Sequence, residues 1–375
     1  MRVIRQSSRQ LGFTLTEVLV GLALSSLLML GVVQLFVANS RSYSLLTGQS
    51  FMQESGRFAI SVLARSGRMA GFKGCYSKNE EVYKTFLAAP PYEFNLTNNM
   101  IGYEGGLTAW QPNIHNVLPK TVGGIDSNIY AAGTIGPGNG IDTDKILRGT
   151  DIVTFNYIDS KKHRLAVGMV SSDELIELDD TAYDFGVDYM AYIHDCEKGT
   201  IFRVTGFDAD LKIEHDGGAD ADGYTNAHTR LAEFNTYETN AYVSAIISDT
   251  YYIRESNGEN KSGNKPMSLW RKRGVNKPVE IVQGIEDLQI TYGVDTDNDD
   301  IPNRYLDANA VTNFSNVRTL RISVTAHSVD DVDGSTTPTH GCLGDGAGGR
   351  QFCWPGETVD GLLRRTFSQT LVLKN

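Results

Sequence analysis

The clearest candidate for chemistry in this sequence is an acidic loop in its last quarter. Oxygen-bearing side chains alternate along Asp-Thr-Asp-Asn-Asp-Asp-Ile-Pro-Asn, residues 295–303. Ca²⁺ takes about six to eight oxygen ligands, and this alternation resembles the first part of an EF-hand calcium loop. The predicted ligands are Asp295, Asp297, Asp299, the backbone carbonyl of Ile301, Asn303 and, in place of the usual final glutamate, Asp307.

Two positions of this loop depart from the calcium-binding pattern. Asp300 occupies the place that usually takes glycine, and Leu306 occupies the place of the bidentate glutamate. Residues 280–307 nevertheless contain eight acidic residues and a single basic residue, Arg304. Because neighbouring carboxylates repel one another, a bound cation would stabilise them. The alternative is a solvated acidic hairpin loop that binds no metal.

The other reactive residue types form no recognised catalytic pattern. The seven histidines show no HExxH spacing, and the sequence contains neither a GxSxG nucleophile motif nor a GxxxxGK[ST] phosphate-binding loop. The net charge of −11 has the wrong sign for a protein whose main partner is a phosphate backbone. We therefore expect no enzymatic activity and no direct nucleic-acid binding. A membrane-tethered hydrolase is the weakest alternative.

The N-terminus has the features of a membrane anchor. Residues 1–12 contain three arginines and no acidic residue, and residues 18–38 form a 21-residue uncharged, mostly apolar segment. As a helix this segment would span about 30 Å, the thickness of the bilayer's hydrocarbon core. The positive-inside rule places the basic leader in the cytoplasm and the chain after about residue 40 on the far side. Glu17, at the cytoplasmic edge, needs either a partner or access to headgroup water.

The segment GFTLTEVLV at residues 12–20, between the basic leader and the apolar helix, resembles the processing signal of type IV pilins and pseudopilins. The resemblance implies that a prepilin peptidase cleaves after Gly12 and N-methylates Phe13. It also implies that Glu17 pairs with the N-terminal amine of a neighbouring subunit. Because neither charge is tolerated alone in a bilayer, this pairing would select the axial register between packed helices.

The elements that follow predict an α+β, type IV pilin-like fold with a long N-terminal helix packed on an antiparallel β-rich domain. The sequence has no proline from Glu17 to Ala70, and the predicted helix covers residues 13–72 after the leader 1–12. Beyond the membrane, large apolar residues form a stripe that we expect to pack on the sheet, with a partner-binding coiled coil as the alternative. The stripe consists of Leu45, Leu46, Phe51, Phe58, Ile60, Val62, Leu63 and Met69.

The exported domain is predicted to cover residues 73–375. Residues 89–149, 207–240 and 328–361 are rich in Gly, Asn, Asp and Thr and predict long surface loops. Period-two alternation in the strand candidates favours antiparallel pairing. The predicted strands are 151–158, 164–170, 200–206, 242–255, 268–273, 279–282, 286–294, 317–327 and 365–373.

Segments farther along the chain narrow the resemblance. Residues 67–75, 196–205, 268–295 and 367–375 resemble the PilW family, the minor pilins of type IV pili. This implies anchoring in the inner membrane with the C-terminal domain in the periplasm, followed by incorporation at the pilus tip. There the protein would join other minor pilins, prime polymerisation of the major pilin for twitching motility, and help present a large tip adhesin. The alternatives are a type II secretion pseudopilin and a calcium-dependent surface adhesin.

In an oxidising compartment the four cysteines are expected to form disulfides. We predict the pairs Cys75–Cys196 and Cys342–Cys353, one of the three pairings that four cysteines allow. The first would tie the end of the helix to the sheet, and the second would close a short glycine-rich loop. Free buried thiols are the alternative.

Overall fold

A computed structural model shows a long N-terminal helix followed by a region of β-strands, which confirms the predicted α+β class. The residues that it describes are 14–74, 83–85, 87, 96, 99–105, 110–111, 146–147, 149–171, 174–180, 183, 185–195, 197–216, 226, 236–274, 276–332, 340–343, 352–355 and 361–373.

Helix α1 spans Leu15–Met69. It begins with a capping box, in which the Thr14 hydroxyl accepts a hydrogen bond from the Glu17 N–H and the Glu17 carboxylate accepts one from the Thr14 N–H. The box satisfies N–H groups that the start of a helix leaves without an intrahelical partner. The helix ends where Gly71 adopts a φ of +79°, a left-handed conformation that glycine enters without a steric penalty.

The outer half of α1 packs on the strands through small residues, so the prediction of a large apolar stripe is only partly right. Leu45, Leu46 and Phe58 are 40%, 65% and 47% exposed. A methyl group added at Gly56 would overlap the ring of Phe367, which shows how closely the helix backbone approaches the C-terminal strand. The buried residues of α1 are Met52, Ser55, Gly56, Ala59, Leu63, Ala64, Ser66 and Gly67.

The described residues form eighteen strands and two short 3₁₀ turns, Ala308–Ala310 and Phe314–Asn316. The strands are β1 Tyr83–Thr85, β2 Met100–Gly105, β3 Trp110–Gln111, β4 Ile152–Ile158, β5 His163–Arg164, β6 Met190–His194, β7 Gly199–Arg203, β8 Gly206–Phe207, β9 Ile213–Glu214, β10 Tyr242–Glu255, β11 Met267–Arg273, β12 Val279–Gln283, β13 Ile285–Val294, β14 Arg304–Leu306, β15 Val317–His327, β16 His340–Leu343, β17 Phe352–Pro355 and β18 Arg364–Val372.

Most strands belong to two sheets. A ten-stranded sheet is built around β10, which pairs with β4, β5, β6 and β11, and a four-stranded sheet has the order β14-β13-β15-β18. Within the described part of the chain, the strands pair antiparallel except for β1 with β7. Helix α1 lies against β18, β15, β12 and β4, so its outer half contacts strands of both sheets. A main apolar core joins the helix and the two sheets.

Several strand predictions need correction. Only Arg164 of the predicted strand 164–170 is in a strand, because the chain turns away after the two-residue β5 and residues 165–178 are held by isolated bridges. Strands β2 and β3 lie inside the predicted loop 89–149, and the hairpin β16–β17 lies inside 328–361. Strand β6 was not predicted. Apart from β6, these strands are short or contain glycine, and partner strands rather than local propensity define them.

Candidate functional site

Glu17 and Thr14 form a compact polar group where α1 begins. The Glu17 Oε2 accepts hydrogen bonds from the Thr14 N–H at 3.0 Å and the Thr14 hydroxyl at 2.9 Å. Gly12 and Phe13, the predicted processing residues, lie outside the described residues. The carboxylate predicted to bind a neighbouring amine therefore also caps its own helix. This second role could have been read from Thr14 and Glu17, since a threonine three residues before a glutamate is a capping-box signal.

The apolar part of α1 has the length and composition of a membrane span, and none of that segment is buried within the chain. Its two serines are satisfied inside the helix, because Ser25 Oγ donates to the Gly21 carbonyl at 2.6 Å and Ser26 Oγ donates to the Ala23 carbonyl at 2.8 Å. In a bilayer such internal pairing is required, since no water is present to bond the hydroxyls. This half of the helix is therefore free to face lipid or other apolar helices.

The acidic loop between β13 and β14 brings three of the predicted calcium ligands together. Carboxylate oxygens of Asp295, Asp297 and Asp299 all lie within 4.8 Å of one another. Oxygens bound at about 2.3–2.6 Å to one Ca²⁺ can be separated by up to about 5 Å, so this spacing fits a shared cation. Asp297 and Asp299 are exposed, whereas Asp295 is fully buried at the end of β13. Among the described residues, no other group of three acidic or histidine side chains converges in this way.

Backbone donors hold the loop in this conformation. The Asp295 carboxylate accepts N–H bonds from Asn298 at 2.7 Å, Asp300 at 3.0 Å and Asp297 at 3.2 Å. Burial alone raises the pKa of Asp295, but these donors and the Arg318 guanidinium outweigh it and bring the pKa below its ordinary value. Asp295 is thus ionised in the folded protein, as a metal ligand must be.

The other predicted ligands are placed less favourably. The Asn303 Oδ1 accepts hydrogen bonds from the Thr296 N–H at 2.6 Å and the Thr296 hydroxyl at 3.0 Å. The Ile301 N–H donates to Asp299 at 2.8 Å. Asp307 is exposed and does not belong to the convergent carboxylate group. A cation here would be held mainly by the three aspartates, with water completing its coordination.

Two details modify the sequence interpretation of this loop. Asp300, in the usual glycine position, has a φ of +65°, a left-handed conformation that Asp enters more readily than most residues. Arg318 on β15 lies 3.3 Å from Asp295 and 3.2 Å from Asp300, so part of the acidic charge is already compensated. Sequence counting over residues 280–307 missed Arg318 because it comes from another strand. The pairing of Val294 with Val317 brings it to the loop.

One predicted cysteine pair, Cys342–Cys353, lies on described backbone, whereas Cys75 and Cys196 lie outside the described residues. Cys342 and Cys353 are direct partners in the register of β16 and β17. Opposed residues of antiparallel strands have Cα atoms about 4.5–5.5 Å apart, within the range that a disulfide spans. Both disulfides stay predictions.

Sequence reasoning did not single out two buried carboxylates, one between the two sheets and one within the ten-stranded sheet. Asp151 accepts N–H bonds from Gly105 on β2 at 2.8 Å and from Ile290 on β13 at 2.7 Å. Burial and the nearby Glu104 carboxylate raise the pKa of Asp151 to about 8. Asp249 on β10 forms a bidentate ion pair with Arg273 on β11, with both contacts at 2.7 Å. Isolated acids in β segments carry no sequence signal for such pairings.

Two known sequence families match segments at the two ends of this chain. Residues 7–33 match the prokaryotic N-terminal methylation motif. Residues 250–375 match the family described as type IV pilus-assembly protein W, PilW. No curated protein and no solved structure matches the chain. Pilus-assembly and pilin families are structural rather than enzymatic.

The matched segments include the start of the long helix and strands on which it packs. The methylation motif ends within the apolar half of α1, and the PilW segment contains the strands β15 and β18 on which the outer half packs. Among the described residues, α1 is the one helix long and apolar enough to cross a membrane. Together with the prepilin-type signal it indicates a membrane-anchored pilin, which implies contact in general with prepilin peptidase and with pilus components. The two matches therefore support a role related to type IV pili, with a prepilin-type N-terminus and a C-terminal third that is similar to the PilW family.

Proposed function

We propose that this protein primes type IV pilus assembly from a tip complex that it forms with other minor pilins. In this proposal residues 1–12 are the leader, prepilin peptidase cleaves after Gly12 and methylates Phe13, and residues 73–375 form the exported domain in the periplasm. The mature subunit then leaves the inner membrane for the tip of the pilus. There it contacts the major pilin and helps present a large adhesin.

The observation that carries this proposal is the continuity of α1. A single helix, Leu15–Met69, begins inside the methylation motif, exposes its entire apolar segment and packs its outer half on the strands of the PilW segment. Extraction from the bilayer would otherwise expose this apolar surface to water, so packing against the helices of other subunits would stabilise it. The PilW match favours a pilus over the type II secretion pseudopilus, which shares only the N-terminal signal.

Glu17 has two possible roles that substitutions can separate. Glu17→Gln removes the charge needed to bind an amine but keeps an oxygen that can accept the Thr14 hydrogen bonds. Thr14→Ala removes the hydroxyl of the capping box and keeps the charge. We expect Glu17→Gln to be cleaved but poorly incorporated into sheared pili, and Thr14→Ala to be incorporated normally. Equal incorporation of the two variants would contradict the intersubunit role of Glu17.

Deletion of the gene tests the wider function. We expect loss of surface pili and of twitching motility, both restored by the wild-type gene and not by a Gly12 variant that blocks cleavage. Secretion of folded enzymes should be unaffected. The opposite pattern, with normal pili and impaired enzyme secretion, would instead identify a type II secretion pseudopilin.

We further propose that the loop of Asp295, Asp297 and Asp299 binds Ca²⁺ and stabilises the end of β13. The convergence of the three carboxylates supports this, and the cation would supply charge neutralisation that Arg318 provides only in part. Calcium at millimolar concentration should raise the melting temperature of the detergent-purified full chain, and magnesium should raise it less.

A matched pair of variants controls for general charge effects. Asp297→Asn/Asp299→Asn removes two exposed ligands and should abolish the calcium response. Asp210→Asn/Asp216→Asn removes two exposed carboxylates elsewhere and should preserve it. A wild-type chain whose melting temperature does not respond to millimolar calcium would refute the calcium site.

A further inference from the structure

The outer half of α1 has one uncovered face, and that face is basic. The buried residues of this half lie on one side of the helix, toward β15 and β18. The opposite side presents exposed residues at spacings of three, four and seven, which lie in line on a helix. We call this surface the arginine face, and its main residues are Tyr43, Glu54, Arg57, Phe58, Arg65 and Arg68.

The arginine face contrasts with the charge of the rest of the exported chain. Residues 1–12 contribute +3, residues 13–40 contribute −1 and residues 41–69 contribute +3 to the net charge of −11, so residues 70–375 carry −16. Within the described part of the chain, Arg57, Arg65 and Arg68 form no ion pair. Other arginines of the domain do, for example Arg203 with Asp188. The basic face is thus left uncovered within an acidic subunit.

Large apolar groups accompany these charges. Tyr43 is 73% exposed and Phe58 is 47% exposed, and both lie in line with the arginines. Arginine and aromatic residues together are enriched at the centres of protein interfaces, where guanidinium groups bind carboxylates in a bidentate manner. The composition therefore fits a protein partner with a carboxylate-bearing surface.

The height of the arginine face above the membrane argues against lipid headgroups as the partner. Arg57 and Arg68 follow the end of the apolar segment, Ala38, by 19 and 30 residues. At about 1.5 Å per residue they stand about 28 and 45 Å beyond the hydrocarbon edge, whereas the headgroup layer is about 5–8 Å thick. The strongly acidic domain around the helix also disfavours a phosphate backbone, because like charges repel at this range.

We propose that the arginine face docks on a carboxylate-bearing surface of a neighbouring pilin subunit. This inference rests on the proposed function, because subunits anchored in one membrane by parallel helices present their domains side by side at the same height. The apolar halves of the helices would then hold subunits together in the membrane, and the arginine face would select which subunit lies next to this one. Charge complementarity contributes to such selectivity by rejecting like-charged surfaces.

Site-specific photo-cross-linking in cells that assemble pili tests this proposal. A photoreactive residue replaces Ser61, which is exposed at the middle of the arginine face, or Leu28, which is 73% exposed in the apolar half. We expect adducts to pilin subunits, identified by mass spectrometry, from both positions. Arg57→Glu/Arg65→Glu/Arg68→Glu should reduce the Ser61 adduct at least about tenfold and leave the Leu28 adduct unchanged.

Control variants make each outcome decisive. Lys161→Glu/Lys265→Glu/Lys277→Glu changes the net charge equally at exposed positions elsewhere and should preserve the Ser61 adduct. Reversing the partner carboxylates found in the adduct should restore cross-linking of the triple arginine variant. An unchanged Ser61 adduct in that variant, or Ser61 adducts to lipid or nucleic acid, would overturn the inference while Leu28 adducts persist. Absence of pilin adducts at both positions would overturn the proposed function itself.

Discussion

The bidentate pair between Asp249 and Arg273 allows a quantitative test of how the ten-stranded sheet is held together. The two residues are direct partners across β10 and β11, and the Tyr157 hydroxyl donates to the same carboxylate at 2.9 Å. Asp249 is fully buried, and the Arg273 side chain is 36% exposed. The perturbation is Arg273→Met, which keeps most of the apolar stem and removes the charge. It leaves the buried carboxylate with Tyr157 and the more distant Arg271, 3.9 Å away.

The expected loss follows from the geometry of this pair. Two opposite charges at 2.7 Å attract by about 6 kcal/mol at an effective dielectric constant of about 20. Desolvation of both ions offsets part of this attraction in the native protein. Removal of one partner nevertheless leaves a buried charge uncompensated, which costs about 3–5 kcal/mol. We expect Arg273→Met to lower the free energy of unfolding by this amount.

Chemical denaturation of the detergent-purified full chain measures the effect. Trp270 on β11 is nearly fully buried and provides a local fluorescence signal. Arg254→Met is the matched control, because Arg254 lies 4.0 Å from the centre of the Trp270 ring and has no carboxylate partner among the described residues. Loss of this cation–π contact should cost only about 0.5–1 kcal/mol.

A second substitution tests whether the loss of stability comes from the uncompensated charge of Asp249. Asp249→Asn added to Arg273→Met removes the remaining charge and keeps an acceptor for Tyr157. We expect the double variant to be more stable than Arg273→Met alone, since the fully buried Asp249 charge is gone and Arg271, whose side chain is 28% exposed, can be hydrated. A double variant that is equally or less stable, or a loss below about 1 kcal/mol for Arg273→Met, would refute the account of this pair.

Three further predictions concern the helix, the sheet contact and the cysteines. Gly56→Ala should lower the free energy of unfolding by up to about 2 kcal/mol, because the overlap of the new methyl group with Phe367 outweighs the gain in helix propensity. Gly31→Ala adds a methyl group in open space and should not destabilise the protein. Melting temperatures measure both effects. The pKa of Asp151 is raised to about 8, so between about pH 4 and pH 8 the native state binds a proton that the unfolded state does not. As the pH rises through this window, the free energy of unfolding of the wild type should fall relative to that of Asp151→Asn by up to about 1.4 kcal/mol per pH unit. Denaturation curves at several pH values should show this slope, and a pH-independent difference would contradict it. Mass spectrometry of unreduced peptides should find the two predicted cysteine pairs, and a link between Cys75 and either of the last two cysteines would contradict them.

The N-terminal helix α1 could be predicted because the sequence signals for it are local. The basic leader, the apolar segment and the absence of proline determine a helix without reference to the rest of the chain. The start of α1 at Leu15 follows from the capping box of Thr14 and Glu17, which is also a short-range pattern. For these elements the sequence contains the whole physical cause.

The helix face that meets the sheet could not be predicted in the same way. Large apolar residues usually mark the buried side of a helix, yet Phe58 is exposed and Gly56 is buried two positions away. The cause is the close approach of β18, whose Phe367 occupies the space that a side chain at position 56 would need. This choice depends on a residue more than 300 positions along the chain.

The acidic loop illustrates the same limit at the candidate site. Asp295, Asp297 and Asp299 lie close together because their arrangement is local to one turn, which a sequence pattern can contain. The Arg318 counter-charge and the exclusion of Asp307 from the carboxylate group depend on how β13, β14 and β15 pair. Long-range strand pairing therefore determines how much of the loop's negative charge is not compensated by Arg318 and could be neutralised by a cation.

The central claim, that this chain is a processed minor pilin, is tested most directly by mass spectrometry of its N-terminal peptide in the sheared-pilus fraction. The account predicts a peptide that begins with N-methylated Phe13 and contains an intact Glu17. A protein in that fraction that still begins at Met1, or its absence from a fraction that contains the major pilin, would contradict the account.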